Sequence, residues 1–250
     1  MPRSVILVAV RSYQTEFTDS ETRAKPITPH EETIWLLQKG KEMNNKSKAS
    51  QITILGLMTA FVLVFTLTPI GSIPVGPLVI SLCVIPVAIA AATLGPVGGL
   101  IVGTVFGIMS FLQCFGIGVP SAMGAALLAS GIPMAALRCA VQRIIPRMLE
   151  GFLAGWVFKL IRKKNIYVAA ALTGFATAFF NTLFFMSALV WLFAGTEYMQ
   201  ESMAGKGFIA YILASVGLNV AVEWIAATVI TAAVVTALSK AHLLPVNEQA

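Results

Sequence analysis

Between residues 49 and 137 the chain carries no Asp, Glu, Lys or Arg. A water-soluble fold has to cover its surface with polar groups, and a stretch this long without one charged side chain cannot supply them. The stretch is also several times longer than the ~20 apolar residues a helix needs to cross the hydrocarbon core of a bilayer. Composition agrees. Hydrophobic residues make up 57% and charged residues 11%, with mean hydropathy +0.85, whereas a soluble domain carries roughly 25% charged residues. The chain therefore reads as an all-α, polytopic membrane protein. Its net charge of +6 and pI near 9.4 could point to nucleic acid. The basic residues, however, sit at the ends of apolar runs, where they act as topology signals, and not on an aromatic-interleaved surface.

Residues 1–48 differ from the rest, holding 8 of the 17 basic and 6 of the 11 acidic residues. The apolar run at 5–10 is too short for a signal-peptide core or a span. Pro26, Pro29 and mixed charges through Lys41 predict a loose cytoplasmic extension, with a short helix around 31–39. Met43 opens Met43-Asn44-Asn45-Lys46-Ser47-Lys48, which reads as a basic leader before a first span. The working protein is expected to start there, the upstream residues being a mis-assigned extension or a cytoplasmic arm without a motif. Residues 49–240 are expected to form the membrane-embedded domain and 241–250 a cytoplasmic tail.

Six transmembrane helices are expected at 52–69, 78–94, 97–115, 144–161, 167–193 and 208–238. A loop at 70–77, dense in Gly and Pro, follows the first, and a tight Gly95-Pro96 turn separates the second from the third. Residues 119–140 are apolar enough to span, but Gly131-Ile132-Pro133 cuts them near the middle. They are expected to form a short re-entrant or surface helix over the extracellular mouth, a seventh span being the alternative. With six spans, Lys46 and Lys48, Arg162-Lys163-Lys164 and Lys240 fall on one side, which makes both termini cytoplasmic. Seven spans would put the Arg162 cluster outside.

No catalytic constellation emerges. His30 and His242 lie outside the spans, so no His-based triad or metal site is available in the membrane. Cys83, Cys114 and Cys139 lie in apolar context without ligand spacing and read as packing residues. Gly205-Lys206-Gly207 lacks the upstream Gly and the hydroxyl of a P-loop. No cofactor is expected, and any energy for transport has to come from a partner or an ion gradient. The ionisable residues inside the spans are more informative, because a charge at mid-bilayer costs about 2.5–3.5 kcal/mol on insertion scales and marks a protein-lined or wet site. Arg147 and Glu150 are three apart and Asn219 and Glu223 four apart, so each pair shares a helix face. Asn181 and Thr182 add an amide and a hydroxyl. Together they can line a polar pocket between helices, with Arg147 offering a bidentate grip on a carboxylate.

Blander readings compete with this. Arg147 can simply neutralise Glu150 or Glu223; Arg138 and Arg143 can snorkel to the water boundary; Asn181 and Asn219 can be interhelical glue. Trp156, Trp191 and Tyr198 read as interfacial anchors. Small residues recur at Gly56-x-x-x-Ala60, Ala88-x-x-x-Ala92 and Gly99-x-x-x-Gly103, a spacing that lets helices approach closely. Within one protein it means internal packing; on an outward-facing first helix it means docking to another subunit.

Taken in order, several stretches resemble one family. They are Thr68-Pro69-Ile70-Gly71-Ser72-Ile73-Pro74-Val75-Gly76-Pro77, Ile85-Pro86-Val87, Leu94-Gly95-Pro96 and Phe106-Gly107-Ile108-Met109-Ser110-Phe111. Further on come Pro146-Arg147 with Gly151, Asn181-Thr182-Leu183-Phe184-Phe185-Met186, and Asn219 with Glu223. Residues 52–238 resemble the S components, the substrate-binding subunits, of energy-coupling factor (ECF) transporters. That resemblance implies a six-helix protein of the bacterial cell membrane that captures a vitamin or related micronutrient from outside. It implies docking through small residues of the first helix to a transmembrane coupling (T) subunit driven by two cytosolic ATPases, and toppling in the membrane to release cargo. By position, Thr68, Pro69, Gly71, Pro74, Gly76 and Pro77 belong to the gating loop, and Gly56 and Ala60 to the docking face. Arg147, Asn181, Asn219 and Glu223 line the pocket. The usual docking signature is Ala-x-x-x-Ala, and the Gly at position 56 keeps its steric logic. The loop and second-span pattern is closer to pantothenate-type members than to riboflavin-type ones, whose Lys-Leu-Asp-Phe-Ser-like stretch is absent. Pantothenate leads over riboflavin, folate or a thiamine precursor. The alternatives in other classes are a stand-alone ion-coupled carrier, for which no internal repeat is evident, and an intramembrane enzyme, for which only Arg147, Glu150 and Glu223 are on offer.

Overall fold

The computed structural model describes the backbone of residues 29–75, 78–205, 207, 209–210 and 218–241, and within these all side chains except those of 29–47, 72–80, 202 and 218–219. The chain divides into two compact units, Met1–Asn45 and Lys46–Ala250, and among the described residues the second contains every helix long and apolar enough to cross a membrane. Seven α-helices occur among the described residues: α1 (Pro29–Leu67), α2 (Val84–Leu112), α3 (Ala122–Leu128), α4 (Ala135–Ile161), α5 (Ile166–Phe193), α6 (Glu197–Met203) and α7 (Leu218–Lys240). Two short strands, β1 (Ser72–Val75) and β2 (Leu78–Ser81), pair antiparallel between α1 and α2, with Ser72 opposite Ser81 and Val75 opposite Leu78.

The hairpin amends the all-helical expectation. Residues 78–81, expected within the second span, are a strand, and helix begins only at Val84. Leu82 N–H donates to the Gly71 carbonyl at 3.0 Å and closes the base of the hairpin.

Within α2 the chain turns sharply at Gly95, whose φ of 76° and ψ of −166° lie where residues with a Cβ rarely go. Pro96 then opens the second arm, where its missing N–H costs nothing. A Cβ built on Gly99 would stand 2.9 Å from that of Ala91, eight residues earlier. A straight helix would hold those positions about 12 Å apart. The arms 84–94 and 96–112 therefore fold against each other, as the Gly95-Pro96 signal predicts. The first arm alone rises only about 16 Å, half the ~30 Å hydrocarbon core.

Among the described residues four stretches are long and apolar enough to cross a membrane: Lys48–Leu67, Val84–Phe115, Ile166–Phe193 and Val220–Lys240. α4 has the length, 27 residues or about 40 Å, but carries several charges. It begins at Ala135, nine residues before the expected 144. The cut at 131–133 is real, with Gly131 at φ 68° and Met134 at φ 58°. Before it lies α3, whose seven residues rise only about 10 Å and do not cross a bilayer.

Local chemistry sets the helix starts. Ser121 accepts from Gly124 N–H at α3, Asn165 from the Tyr167 and Val168 N–H groups at α5, and Thr196 from Met199 N–H at α6. Each satisfies amides that the first turn cannot bond internally. Helix α2 packs on α4, α5 and α7, and α5 packs on α4 and α7; glycines bring α2 and α4 close together. A Cβ on Gly99 would run into the Gly151 carbonyl, one on Gly103 into that of Arg147, and one on Gly155 into Pro96. Apolar side chains form three clusters. The largest includes Met58, Val62, Val84, Val87, Val102 and Phe106; Leu127, Cys139, Met186, Leu189, Phe193 and Met199 form a second, and Ala92, Phe158, Ala169, Ala170 and Val235 a third. Along α4 buried polar side chains collect from Gln142 to Glu150.

Candidate substrate site

Arg147 is buried, 6% exposed, on α4. Its guanidinium carbon lies 4.6 Å from the Phe106 ring centroid of α2 and 4.8 Å from that of Phe185 on α5, so two aromatic rings bear on the cation. One Nη donates to the Arg143 carbonyl one turn back, at 3.2 Å, and Nε has no partner. Among the described residues no carboxylate pairs with it within 4.0 Å. Glu150 and Glu223 are nonetheless within electrostatic reach. Simple neutralisation of Arg147 by direct ion pairing is therefore not what the structure contains.

Glu223 of α7 meets two partners. Asn181 of α5 donates its side-chain amide to Oε1 at 3.1 Å, and Ser81 N–H, at the end of β2, lies 3.5 Å from Oε2. The carboxylate thus ties α5 and the hairpin to α7. Asn181 keeps its carbonyl oxygen unpartnered and buried. Thr182, expected to offer a hydroxyl, donates it to the Ala178 carbonyl in its own helix. Thr93, Thr173 and Thr177 do the same, the usual way to satisfy hydroxyls in an apolar helix. Asn219 lies in the first turn of α7, and its side chain is outside the described residues.

Arg143 departs from the snorkelling expectation. It is 5% exposed, and its two Nη groups donate to Ser110 of α2 and to the N-cap Ser121 of α3, at 3.2 and 3.1 Å. It braces α3 against the bundle because Gly124 leaves room for its guanidinium. Arg138, partly buried, donates to the Leu192 carbonyl at 3.0 Å. A charged residue near a helix end reads as a boundary marker from sequence, and only the fold shows that inward acceptors are available.

One residue of this row, Gln142, is weakly signalled in the sequence. Gln142 and Glu150 are both fully buried, and none of their side-chain N or O atoms has a hydrogen-bond partner. An unpartnered buried polar group costs roughly 1–3 kcal/mol. Gln142 gives no charge signal, and its burial could only have been guessed from its place one residue before Arg143.

The other predicted positions fall into two places. Thr68 donates to the Val64 carbonyl at the end of α1, and Pro69–Gly71 form one 3₁₀ turn with Gly71 buried against Phe65. Pro74 stands in β1 opposite Val79; Gly76 and Pro77 lie outside the described residues. Gly56 and Ala60 are exposed on α1, and nothing stands within 4 Å of a Cβ built on Gly56.

Known proteins offer two comparisons. The family described as ECF transporter, substrate-specific component, matches residues 50–235. The pantothenic acid transporter PanT of Lactococcus lactis subsp. cremoris (strain MG1363) is 29% identical over 205 residues, covering 79% of this chain and 97% of the relative.

Proposed function

This chain belongs to the substrate-specific components of ECF transporters, a membrane-embedded transporter family and not an enzyme family, and on that footing we propose that it captures a carboxylate-bearing micronutrient, pantothenate first among the candidates. The observation that carries this reading is Arg147: a buried cation, flanked by two aromatic rings, with no acid paired to it. A buried charge without a counter-ion is costly, and an anionic ligand would offset that cost. The name of the lactococcal relative gives the same cargo. Asn181, Asn219 and Glu223 complete the lining in this reading. The hydrogen bond reaching Glu223 from Ser81 supports the β1–β2 hairpin and the turn before it, Thr68 to Gly71, as the gate.

Transport needs energy that the chain has no P-loop to harvest. The exposed Gly56 and Ala60 of α1 form the docking face for a transmembrane T subunit coupled to two cytosolic ATPases. The membrane domain spans six times, 119–140 lying at the outer mouth, with both termini cytoplasmic as the Lys and Arg bias requires. The protein resides in the bacterial cell membrane, and residues 1–48 are an extension before its membrane domain.

Native mass spectrometry on the purified chain tests the cargo: a retained mass equal to pantothenate supports the assignment, and another vitamin displaces it. Affinity purification should recover a T subunit and two ATPases; their absence under mild detergent would favour a stand-alone carrier. Arg147→Ala should weaken pantothenate binding at least about tenfold, the loss expected from one charged hydrogen bond, with folding retained. Unchanged affinity by calorimetry would retire the carboxylate grip.

A further inference from the structure

Along α4, beside the bracing Arg143 whose Nε is also free, three further residues share one buried stretch and keep polar atoms in reserve. Gln142 has neither amide atom partnered, Arg147 has a free Nε, and Glu150 has both carboxylate oxygens free. Gln142 and Glu150 are completely buried. Eight residues of helix separate them, about 12 Å at 1.5 Å per residue. Thr173, Thr177 and Thr182 of α5 spend their hydroxyls inside their own backbone, whereas Trp224 and Thr231 of α7 also keep a buried polar atom unpartnered.

The three groups ask for different chemistry. The amide of Gln142 offers one donor and one acceptor face, which suits a secondary amide or a carboxylate edge. Arg147 takes an anion. Glu150 has two unpartnered oxygens able to accept from hydroxyl or N–H donors.

We infer that Gln142 and Glu150 determine specificity. They make the site select an elongated monoanion that carries an amide and, at the end away from its carboxylate, hydroxyl donors received by Glu150. This rests on the substrate-capture reading and deepens it. The carboxylate lies at the Arg147–Gln142 end and the hydroxyls at the Glu150 end. Carboxylates without donors are rejected because they leave Glu150 buried and unpartnered.

The experiment uses the full chain in detergent, titrated calorimetrically with pantothenate and with N-(tert-butylacetyl)-β-alanine, which keeps the carboxylate and amide but lacks both hydroxyls. Wild type should prefer pantothenate by at least about tenfold. Glu150→Leu should shrink that preference to about threefold or less, and isosteric Glu150→Gln should fall between. In the ligand-free state Glu150→Leu should melt at the wild-type temperature or higher, by up to about 2–4 °C, because replacing an unpartnered polar group by an apolar one relieves its cost. Retained discrimination in both variants overturns the inference. So does a lower ligand-free melting temperature in both, since that identifies Glu150 as a structural counter-ion. If wild type binds neither probe, the pantothenate assignment falls, and the melting comparison by itself decides for or against Glu150 as a group held for a ligand.

Discussion

Gly56 and Ala60 on α1 repeat the spacing of Gly99 and Gly103 on α2, yet the two stripes live in opposite surroundings. A Cβ on Gly99 or Gly103 would collide with a carbonyl of α4, whereas one on Gly56 meets nothing within 4 Å. Their helices differ in the same sense. In the Val84–Phe115 stretch 67% of the most apolar window is buried, and in Lys48–Leu67 only 17%. Small residues at this spacing permit close approach; they do not say to what. On α2 the partner is inside the fold. On α1 no partner stands against the stripe among the described residues, and Ile52, Leu57, Phe61 and Val64 beside it are exposed as well.

The largest effect should come from closing the inner stripe. Gly103→Val places a branched side chain against the Arg147 backbone, where neither helix can yield without moving Arg147 itself. Overpacking of this kind typically costs 1–3 kcal/mol and sometimes more, and here it also displaces the candidate site. Little monodisperse protein should elute from size-exclusion chromatography, and what survives should not bind pantothenate. A well-behaved, binding-competent Gly103→Val would mean that the inner stripe is not a close contact, and the contrast with α1 would dissolve.

Next comes Gly56→Leu. Nothing among the described residues opposes the added side chain, so melting temperature and ligand affinity should stay near wild type. Yield of the complex with the T subunit should fall about tenfold or more, because a bulky residue holds the two helices apart. Normal complex yield would remove α1 from the docking face and leave its open glycine without a purpose.

The two stripes also mark how far sequence reasoning reaches. The membrane class follows from the uncharged stretch, and the Gly95-Pro96 turn from the two residues that punctuate helices most strongly. Leu78-Val79-Ile80-Ser81 is different: a short apolar, β-branched run fits strand or helix equally by periodicity, and only Leu82 bonding back to Gly71 decides it. The early start of α4 was hidden because Arg138 and Arg143 look like boundary residues until Leu192, Ser110 and Ser121 are seen to accept from them. Arg147, Asn181 and Glu223 were legible as polar groups out of place in apolar helices. Which polar groups lack partners was not, since Thr182 and Gln142 look alike in a sequence, and the former is satisfied by its own backbone while the latter is not.

The smallest effect separates the stripes by sign. Alanine is favoured over glycine in a helix interior by roughly 0.5–1 kcal/mol, and this propensity applies equally at positions 56 and 99. At Gly56 the new methyl enters open space, so Gly56→Ala should gain that increment and raise the melting temperature by about 1–4 °C. It also restores the Ala-x-x-x-Ala form usual in the family's docking helix, so complex yield should hold. At Gly99 the same methyl meets the Gly151 carbonyl, and the steric cost exceeds the propensity gain, so Gly99→Ala should melt lower than wild type. Differential scanning fluorimetry on the two variants is the measurement. Shifts of the same sign would mean that backbone propensity alone governs both sites, and that the difference in their surroundings carries no energetic weight.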